Sequence, residues 1–521
     1  SSLSSDFDPP PPHMMICVCV WISNFQVVRM IYAVLGKADF KRGLRAYFKR
    51  HAYGNTTTLD LWNAWENASG KPIGLMMSSW TEQMGFPQLT VKRVAGDAGA
   101  LSITQSWFLA DGSGADEDAP PRWTIPLFVA SAAEQLPTMY GVYKAADGER
   151  PYEMLVDATG WVKLNAGQHV MARVLYADPA MWDDLIAACA ASPSPLAAED
   201  RVALLSDAYA FAKAGQLDPA IALRLVGACA QDTDATVWEQ IEGLLGAFDS
   251  ALSADDAMHA GFCSFAASTL AALGGKVGWT PDPASDGHMT RKLRAVMLRL
   301  LAKFSATDDA VAAQAQALFE TPDAISADLR GSIFKIALKS STAGSPEEDA
   351  RHAALMARFN GTEDPALRKE VMLAIGNVPS AALKRSVMAW TATENKIQDF
   401  FYPMASVAGS DAAGRDIAWE YMCEHWGDIR GRVEDASASL TAAVVAFCTR
   451  GFATRAKADE IEAFFVANPC EAVSRKVAQV VESIRIKAAF FEKSVMGSDL
   501  ATAKFWAELT GSVLERNEES K

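Results

Sequence analysis

Histidines are scarce in this chain of 521 residues, and no two of them stand close together. The seven are His13, His51, His169, His259, His288, His352 and His425. A zinc-binding helix needs two histidines about one turn apart, as in H-E-x-x-H, and no such pair occurs. A G-x-S-x-G nucleophile elbow, a Walker-type phosphate loop and a dinucleotide fingerprint are absent as well. The sequence therefore predicts no catalytic, cofactor-binding or metal-binding residue.

Paired cysteines and an excess of positive charge are also missing. Eight cysteines are present, no C-x-x-C occurs, and apart from Cys17 and Cys19 they lie far apart, which is typical of buried thiols in a reducing, cytoplasmic compartment. With 63 acidic against 48 basic residues, the formal charge of −15 disfavours nucleic acid and anionic membranes as partners.

Long hydrophobic runs are missing too, although 50% of the residues are hydrophobic and can fill several cores. The nine apolar residues from Met14 to Ile22 are too few to span a bilayer. Asp6 and Asp8 stand where a signal peptide has basic residues. We therefore expect a buried strand or a non-native leader here, after a Pro-rich start that should be unstructured.

The remaining chain divides by hydrophobic pattern into three regions. Residues 26–86 have helical spacing, with predicted helix ends at Gly36 and Gly70. Residues 87–178 change to short alternating runs separated by turns, which predicts a small β-sandwich. The predicted strands contain residues 89–91, 101–107, 123–129 and 161–164. Because Pro126 cannot donate a hydrogen bond within a sheet, its strand is predicted to lie at an edge or to contain a bulge.

Residues 179–521 are Ala-rich and amphipathic throughout, in units of two short helices. In one such helix Val202, Leu205, Tyr209 and Ala212 line one face, and Gly215 ends it. This succession of short helix pairs predicts an α-solenoid of HEAT or armadillo character, although no strict residue repeat is found. The predicted fold is thus mainly α with a small β domain.

Three local clusters invite a functional interpretation, and each has an ordinary one. Cys423-Glu-His425 is a run of three possible metal ligands. Adjacent residues on a helix point in different directions, so packing and surface roles are favoured over a shared metal site. The basic run Lys41, Arg42, Arg45, Lys49, Arg50 and His51 could bind phosphate, but a solvated helix face suits the net charge better. Trp62 and Trp65 could form a ligand platform, although core packing is commoner at this spacing.

Residues 27–87 carry a series of motifs that resemble a known family. They are Val27-Val-Arg-Met30, Phe40-Lys-Arg-Gly-Leu44, His51-Ala-Tyr-Gly-Asn55, Thr58-Leu-Asp-Leu-Trp62, Ala68-Ser-Gly-Lys71 and Ser79-Trp-Thr-Glu-Gln-Met-Gly-Phe-Pro87. Further matches lie at residues 161–165, 200–207, 212–215, 278–283, 287–288 and 326–330. The series is similar to the zinc aminopeptidases of the puromycin-sensitive type, over about residues 26–521.

The resemblance implies the C-terminal portion of such an enzyme. The family's G-A-M-E-N loop, H-E-x-x-H helix and third-ligand Glu precede the matched region and are absent here. A family Tyr just before V-x-R-M stabilises the oxyanion, but the alignment places Trp21 there, which has no phenolic hydroxyl. Residues 1–25 are therefore expected to be foreign to the family.

The resemblance implies four regions: a leader (1–25), C-terminal helices of a thermolysin-like catalytic domain (26–86), the β-sandwich (87–178) and a helical cap (179–521). The chain is expected to cap a peptide cavity, to carry no zinc of its own and to be inactive alone. Its implied partners are peptides and the missing catalytic half. The alternative is a standalone α-solenoid that binds peptides or a partner protein without catalysis.

Overall fold

The computed structural model describes residues 15–94, 97–112, 120–148, 150–282, 284–321, 325–394, 396–433 and 437–519. The chain divides into two compact units, residues 1–217 and 218–521. Within the described residues it is mainly helical with two small sheets. The predicted class, mainly α with a small β domain, is confirmed.

The first unit begins with three helices. They are α1 Met15–Arg50, α2 Thr58–Ser69 and α3 Ile73–Thr81. Gly36 interrupts α1 with φ +76°, and Gly70 ends α2 with φ +70°, so both predicted breaks lie where left-handed backbone favours glycine. The structure places residues 15–25 in α1, so the predicted strand there is wrong, because a short apolar run alone does not distinguish strand from helix. Residues 1–14 lie outside the described part.

Seven strands follow the helices and form two sheets. They are β1 Pro87–Val94, β2 Asp97–Trp107, β3 Ile125–Ser131, β4 Thr138–Tyr143, β5 Tyr152–Leu155, β6 Val162–Leu164 and β7 Arg173–Tyr176. One sheet has the order β5-β2-β1-β7 and the other β4-β3-β6. The two sheets are in contact, because the backbone amide of Leu164 on β6 donates to the Tyr176 hydroxyl on β7 at 3.1 Å. All pairings are antiparallel except that of β1 with β7, which is parallel.

Pro126 lies in the central strand of its sheet, so the predicted edge position is wrong. The alternative that the sequence offered, a bulge, is present next to it, since the β3–β4 register shifts between Leu127 and Phe128. Strand β6 pairs with β3 only from Val129 onward. Pro126 therefore has a hydrogen-bonded neighbour on one side only, which accommodates its missing N–H.

Two helices complete the first unit, α4 Pro179–Ala190 and α5 Ala198–Lys213. Leu205 and Ala212 on α5 are buried as predicted, whereas Val202 and Tyr209 are only half-buried. Two buried carboxylates fix α5 to the β strands. Asp207 accepts hydrogen bonds from the Arg173 guanidinium and the Val174 amide, both at 2.9 Å. Asp200 accepts one from the Gly167 amide at 2.9 Å.

The second unit is helical throughout its described residues. Its helices are α6 Pro219–Ala228, α7 Ala235–Leu252, α8 Asp256–Val277, α9 His288–Phe304, α10 Asp309–Glu320, α11 Ala327–Lys339, α12 Pro346–Gly361, α13 Pro365–Ala374, α14 Ala381–Glu394, α15 Phe401–Ala408, α16 Ala412–Glu424, α17 Trp426–Val433, α18 Ala438–Cys448, α19 Arg455–Ala467, α20 Ser474–Phe490 and α21 Ala503–Glu519. Many begin at an Asp or Ser whose side chain accepts from a first-turn amide, as Asp308 does for α10.

Helices of the second unit pack in a regular succession. Alternate helices α7, α9, α11, α13 and α15 each contact the next, and the row continues through α18 and α20, which contacts α7 again. The intervening helices pack between members of this row. Helices that are far apart in sequence, such as α11 and α20, therefore belong to the same row.

An aromatic core joins four helices of this unit. Phe262 of α8 is fully buried, and its ring lies 5.7 Å from that of Phe304 and 6.2 Å from that of Trp506. Helix α8 is also the one described helix long and apolar enough to cross a membrane, which the sequence analysis did not expect. Helices α7, α9 and α21 pack against it, and 41% of its apolar window is buried within the described structure.

Candidate functional site

Three half-buried lysines of the second unit form what we call the lysine cluster. Lys335 and Lys339 lie on α11, and Lys487 lies on α20. Burial, followed by the charge of nearby Arg450, lowers the pKa of both Lys335 and Lys487. Lys335 and Lys339 stand one turn apart on α11, and the charge of Arg450 acts on both Lys335 and Lys487.

Lys339 has the largest shift of the three. Burial lowers its pKa to about 8, the charge of Asp411 opposes this, and Lys335 adds to it. Within the described ranges, no ion pair or side-chain hydrogen bond holds any lysine of the cluster. Asp411 and Asp249 offset part of the positive charge at Lys339, and the partly buried ammonium groups together favour an anionic ligand.

A second group of side chains brings three possible metal ligands together. Asp249 lies on α7, and His259 and Cys263 lie one turn apart on α8. The His259 Nε2 atom is 2.9 Å from Asp249 Oδ1 and 3.8 Å from Cys263 Sγ. The Lys303 ammonium forms an ion pair with the other carboxylate oxygen of Asp249, Oδ2, at 2.8 Å. We call these three residues the Asp-His-Cys group.

The protonation of this group follows from its contacts. The hydrogen bond with Asp249, and secondarily the one with Cys263, raises the pKa of His259 to about 10. Burial raises the pKa of Asp249, but hydrogen bonds with His259 and Lys303 outweigh it and hold that pKa at about 2. An imidazolium and a carboxylate therefore face each other at neutral pH.

A cavity of 360 Å³ lies elsewhere in the second unit and is lined by Ile325, Arg330, Phe334, Arg358, Gly361, Thr362 and Leu367. The Arg358 guanidinium lies over the rings of Phe319 and Phe334, at 4.3 and 5.4 Å from their centroids. Arg330 is 3.9 Å from Glu370, whose pKa burial raises. The cavity thus combines apolar walls with fixed guanidinium groups.

Comparisons with known proteins decide the family. The ERAP1-like C-terminal domain matches residues 161–486, well over half of the chain, and the Peptidase family M1 domain matches residues 19–80. The chain belongs to the M1 aminopeptidase family. It corresponds to a C-terminal portion of such an enzyme, as the sequence motifs predicted, although the second match begins at residue 19 rather than 26.

Curated M1 aminopeptidases match along most of the chain. It is 26% identical over 497 residues to Aminopeptidase M1 of Arabidopsis thaliana, with 89% of this chain and 53% of the relative covered. It is 26% identical over 480 residues to Puromycin-sensitive aminopeptidase of Caenorhabditis elegans, with 90% and 49% covered. It is 25% identical over 468 residues to Alanine/arginine aminopeptidase of Saccharomyces cerevisiae, with 89% of this chain and 52% of the relative covered. The chain spans about half the length of these relatives.

This sequence lacks the motif by which M1 aminopeptidases bind the zinc on which they depend. H-E-x-x-H does not occur, and Trp21 stands where the alignment expects the family Tyr. Trp21 is in α1, but its side chain lies outside the described part of the structure. The residues present do not fit the catalytic zinc, so no catalytic step is derived through it.

The clusters singled out in the sequence occupy ordinary positions in this M1 chain. Trp62 and Trp65 are buried and stack at 5.7 Å. Lys41, Arg45 and Lys49 are exposed on α1. Near the end of α16, burial raises the pKa of Cys423 to about 12. His425 stacks on Tyr421 with ring centroids 4.3 Å apart.

The sequence analysis missed both the lysine cluster and the Asp-His-Cys group. His259 and Cys263 stand at i and i+4, the spacing of helical metal ligands, a mixed pair that the histidine-only H-E-x-x-H pattern does not include. Asp249 lies on the preceding helix, and its approach depends on how α7 packs on α8. The i, i+4 pair was therefore detectable from sequence, whereas its third member was not.

Proposed function

We propose that this chain is the peptide-binding, non-catalytic part of an M1 aminopeptidase that removes N-terminal residues from peptides. In this proposal it caps the cavity that holds the peptide and is inactive alone. The relatives named above support the reaction class, since each is an aminopeptidase. The observation that carries the role of this chain is the lysine cluster.

The lysine cluster is unusual for a protein of this charge. The chain carries a formal charge of −15, so uncompensated cations are not a general property of its surface. Keeping several ammonium groups half-buried costs free energy, as the lowered pKa values of all three lysines indicate. An acidic peptide would supply the missing negative charge and relieve this cost, so we assign that ligand class to the cluster.

The partner that completes the enzyme is proposed to contact the helices at residues 27–85. Large apolar side chains are exposed there, among them Phe48 (66%), Leu59 (63%), Leu75 (73%) and Met84 (71%). A contiguous exposed apolar patch marks an interaction surface, and we propose that these side chains form part of one. We propose that they pack against a region carrying the catalytic zinc, or self-associate when that region is absent.

The finer predictions about architecture and location belong to the same proposal. Alternate helices that pack in a row support an α-solenoid of HEAT-like helix pairs. The six described cysteines, among them the buried Cys448, are thiols and not disulfides, and this supports a reducing, cytoplasmic location. Peptides, rather than nucleic acid or membrane, are the proposed partners.

The proposed inactivity is tested on the purified chain. We expect no release of a fluorophore from aminoacyl amides, with or without added zinc, because the sequence lacks H-E-x-x-H. An M1 enzyme that contains the motif serves as the positive control in the same assay. Fluorophore release that a chelator abolishes would overturn this part of the proposal.

The role of the lysine cluster is tested by peptide binding. The double variant Lys335→Met/Lys339→Met is expected to bind an acidic peptide at least about 10-fold more weakly, because two charges that would pair with carboxylates are lost. Its affinity for the same peptide with Gln in place of Glu should not change. Fluorescence anisotropy with both labelled peptides measures the difference.

A pH series and a control variant sharpen this test. Lys339 loses its proton as the pH rises through about 8, so acidic-peptide binding by the unmodified chain should weaken over that interval. Lys41→Met/Lys49→Met removes two exposed lysines and should leave affinity unchanged. Equal losses in the two double variants would show only an effect of overall charge and contradict the assignment.

A further inference from the structure

We infer that the Asp-His-Cys group is a binding site for a divalent metal ion of the zinc class, separate from any catalytic zinc. Carboxylate, imidazole and thiolate together form a donor set that suits zinc. Zinc has a nearly tetrahedral shell, with Zn–N and Zn–O near 2.1 Å and Zn–S near 2.3 Å, so its ligand atoms lie about 3.4–3.6 Å apart. The observed separations of 2.9 and 3.8 Å from His259 Nε2 bracket that range.

The direction of approach distinguishes a metal site from a catalytic relay. In a Cys-His-Asp relay the carboxylate bonds one ring nitrogen and the thiol the other. Here Asp249 Oδ1 bonds Nε2, and Cys263 Sγ is also nearer to Nε2, at 3.8 Å, than to Nδ1, at 4.0 Å. The sulfur is thus nearly equidistant from the two ring nitrogens, and both donor atoms lie within 4 Å of Nε2, so an ion bound at Nε2 is within reach of both.

The helices hold the three ligands in place. His259 and Cys263 share a face of α8, and α7 brings Asp249 opposite them. His259 is 34% exposed and Asp249 26%, so an ion can reach the group and a water molecule can complete the shell. Three protein ligands with one open position match the ligand count of an accessible zinc site.

Charge balance explains why both anionic donors are needed. The Lys303 ammonium lies 2.8 Å from Asp249 Oδ2 and repels a cation. A thiolate and a carboxylate together carry two negative charges, which balance the two positive charges of a divalent ion. The Asp249 Oδ1 atom remains available to the ion, because the ammonium contacts Oδ2. Binding displaces the proton between His259 and Asp249 and the proton of the Cys263 thiol, and both pass to solvent.

Cobalt(II) gives a direct readout on the full chain, because it replaces zinc and is coloured. We expect one equivalent to produce a thiolate-to-cobalt charge-transfer band together with the strong visible bands of a near-tetrahedral site, and zinc to abolish both. Cys263→Ser should remove the charge-transfer band. Asp249→Asn should keep that band but weaken metal binding by at least about 10-fold, since even outer-shell changes cost 10–100-fold.

The matched control is Cys423→Ser/His425→Gln, which alters the other neighbouring Cys and His and should leave spectrum and affinity unchanged. Circular dichroism and thermal unfolding without metal establish that each variant is folded. A charge-transfer band that persists in Cys263→Ser, or metal affinity equal in the native chain and in Asp249→Asn, would overturn the assignment. Absence of cobalt and zinc binding by the native chain would overturn it as well.

Discussion

The Arg173→Met variant is expected to lose about 3–5 kcal/mol of unfolding free energy at neutral pH. Asp207 is buried, and Arg173 is the cation paired with it, at 2.9 Å. Removing one partner of a buried pair leaves the other charge without compensation, which is the costly case. Methionine keeps an unbranched aliphatic chain but removes the guanidinium group, whose Cζ lies 5.0 Å from the Phe108 ring centroid. Urea unfolding followed by circular dichroism measures the loss.

The pH dependence of this loss identifies its cause. Burial raises the pKa of Asp207, and Arg173 opposes that shift, so the pKa rises further in the variant. A folded-state pKa above the unfolded one makes stability fall as pH rises between the two values. The variant's deficit should therefore be smaller near pH 5 than near pH 7.

A second substitution provides the control. Arg173→Met/Asp207→Asn removes the stranded charge while an oxygen remains for the Val174 amide, so most of the lost stability should return. If the single variant loses less than about 1 kcal/mol, or if its deficit is the same at both pH values, the buried pair does not have the role that we give it.

Phe262→Ala is expected to destabilise the second unit by about 3–5 kcal/mol. Phe262 is fully buried where α7, α8, α9 and α21 meet, and its ring contacts those of Phe248, Phe304 and Trp506. Four helices cannot all move to fill the vacated volume, so a cavity should remain. Thermal unfolding of the variant measures the cost.

The matched control is Phe48→Ala, which removes the same side chain from a site that is 66% exposed. This change should alter stability by no more than about 0.5 kcal/mol. Benzene should raise the unfolding temperature of Phe262→Ala alone, because an apolar cavity of this kind binds it. Similar losses in both variants would mean that the aromatic core does not hold these helices together.

Helix ends were predictable from sequence, whereas several strands were not. Gly36 and Gly70 mark breaks because left-handed backbone restricts the choice of residue locally. Strands β4, β5 and β7 escaped prediction, and only one side chain of β4 and one of β5 is buried. Their strand conformation depends on partners elsewhere in the chain, and a local pattern does not contain that information.

Neither candidate site was predictable in full from the sequence, because each combines residues of separate helices. Lys335 and Lys487 lie on α11 and α20, helices that are far apart in sequence and belong to one packed row. His259 and Cys263 were visible as a spaced pair, but Asp249 needed the packing of α7 against α8. The family resemblance, in contrast, rested on contiguous motifs and was confirmed.

The parallel pairing of β1 with β7 has a consequence for how this chain can be divided. The match to the ERAP1-like C-terminal domain begins at residue 161, so β6 and β7 fall inside it while their partners β3 and β1 fall outside. It ends at residue 486, before α21, which packs against α8. A fragment cut at these limits would begin with two orphaned strands and expose one side of α8. The boundary of sequence similarity is therefore not a boundary of autonomous folding.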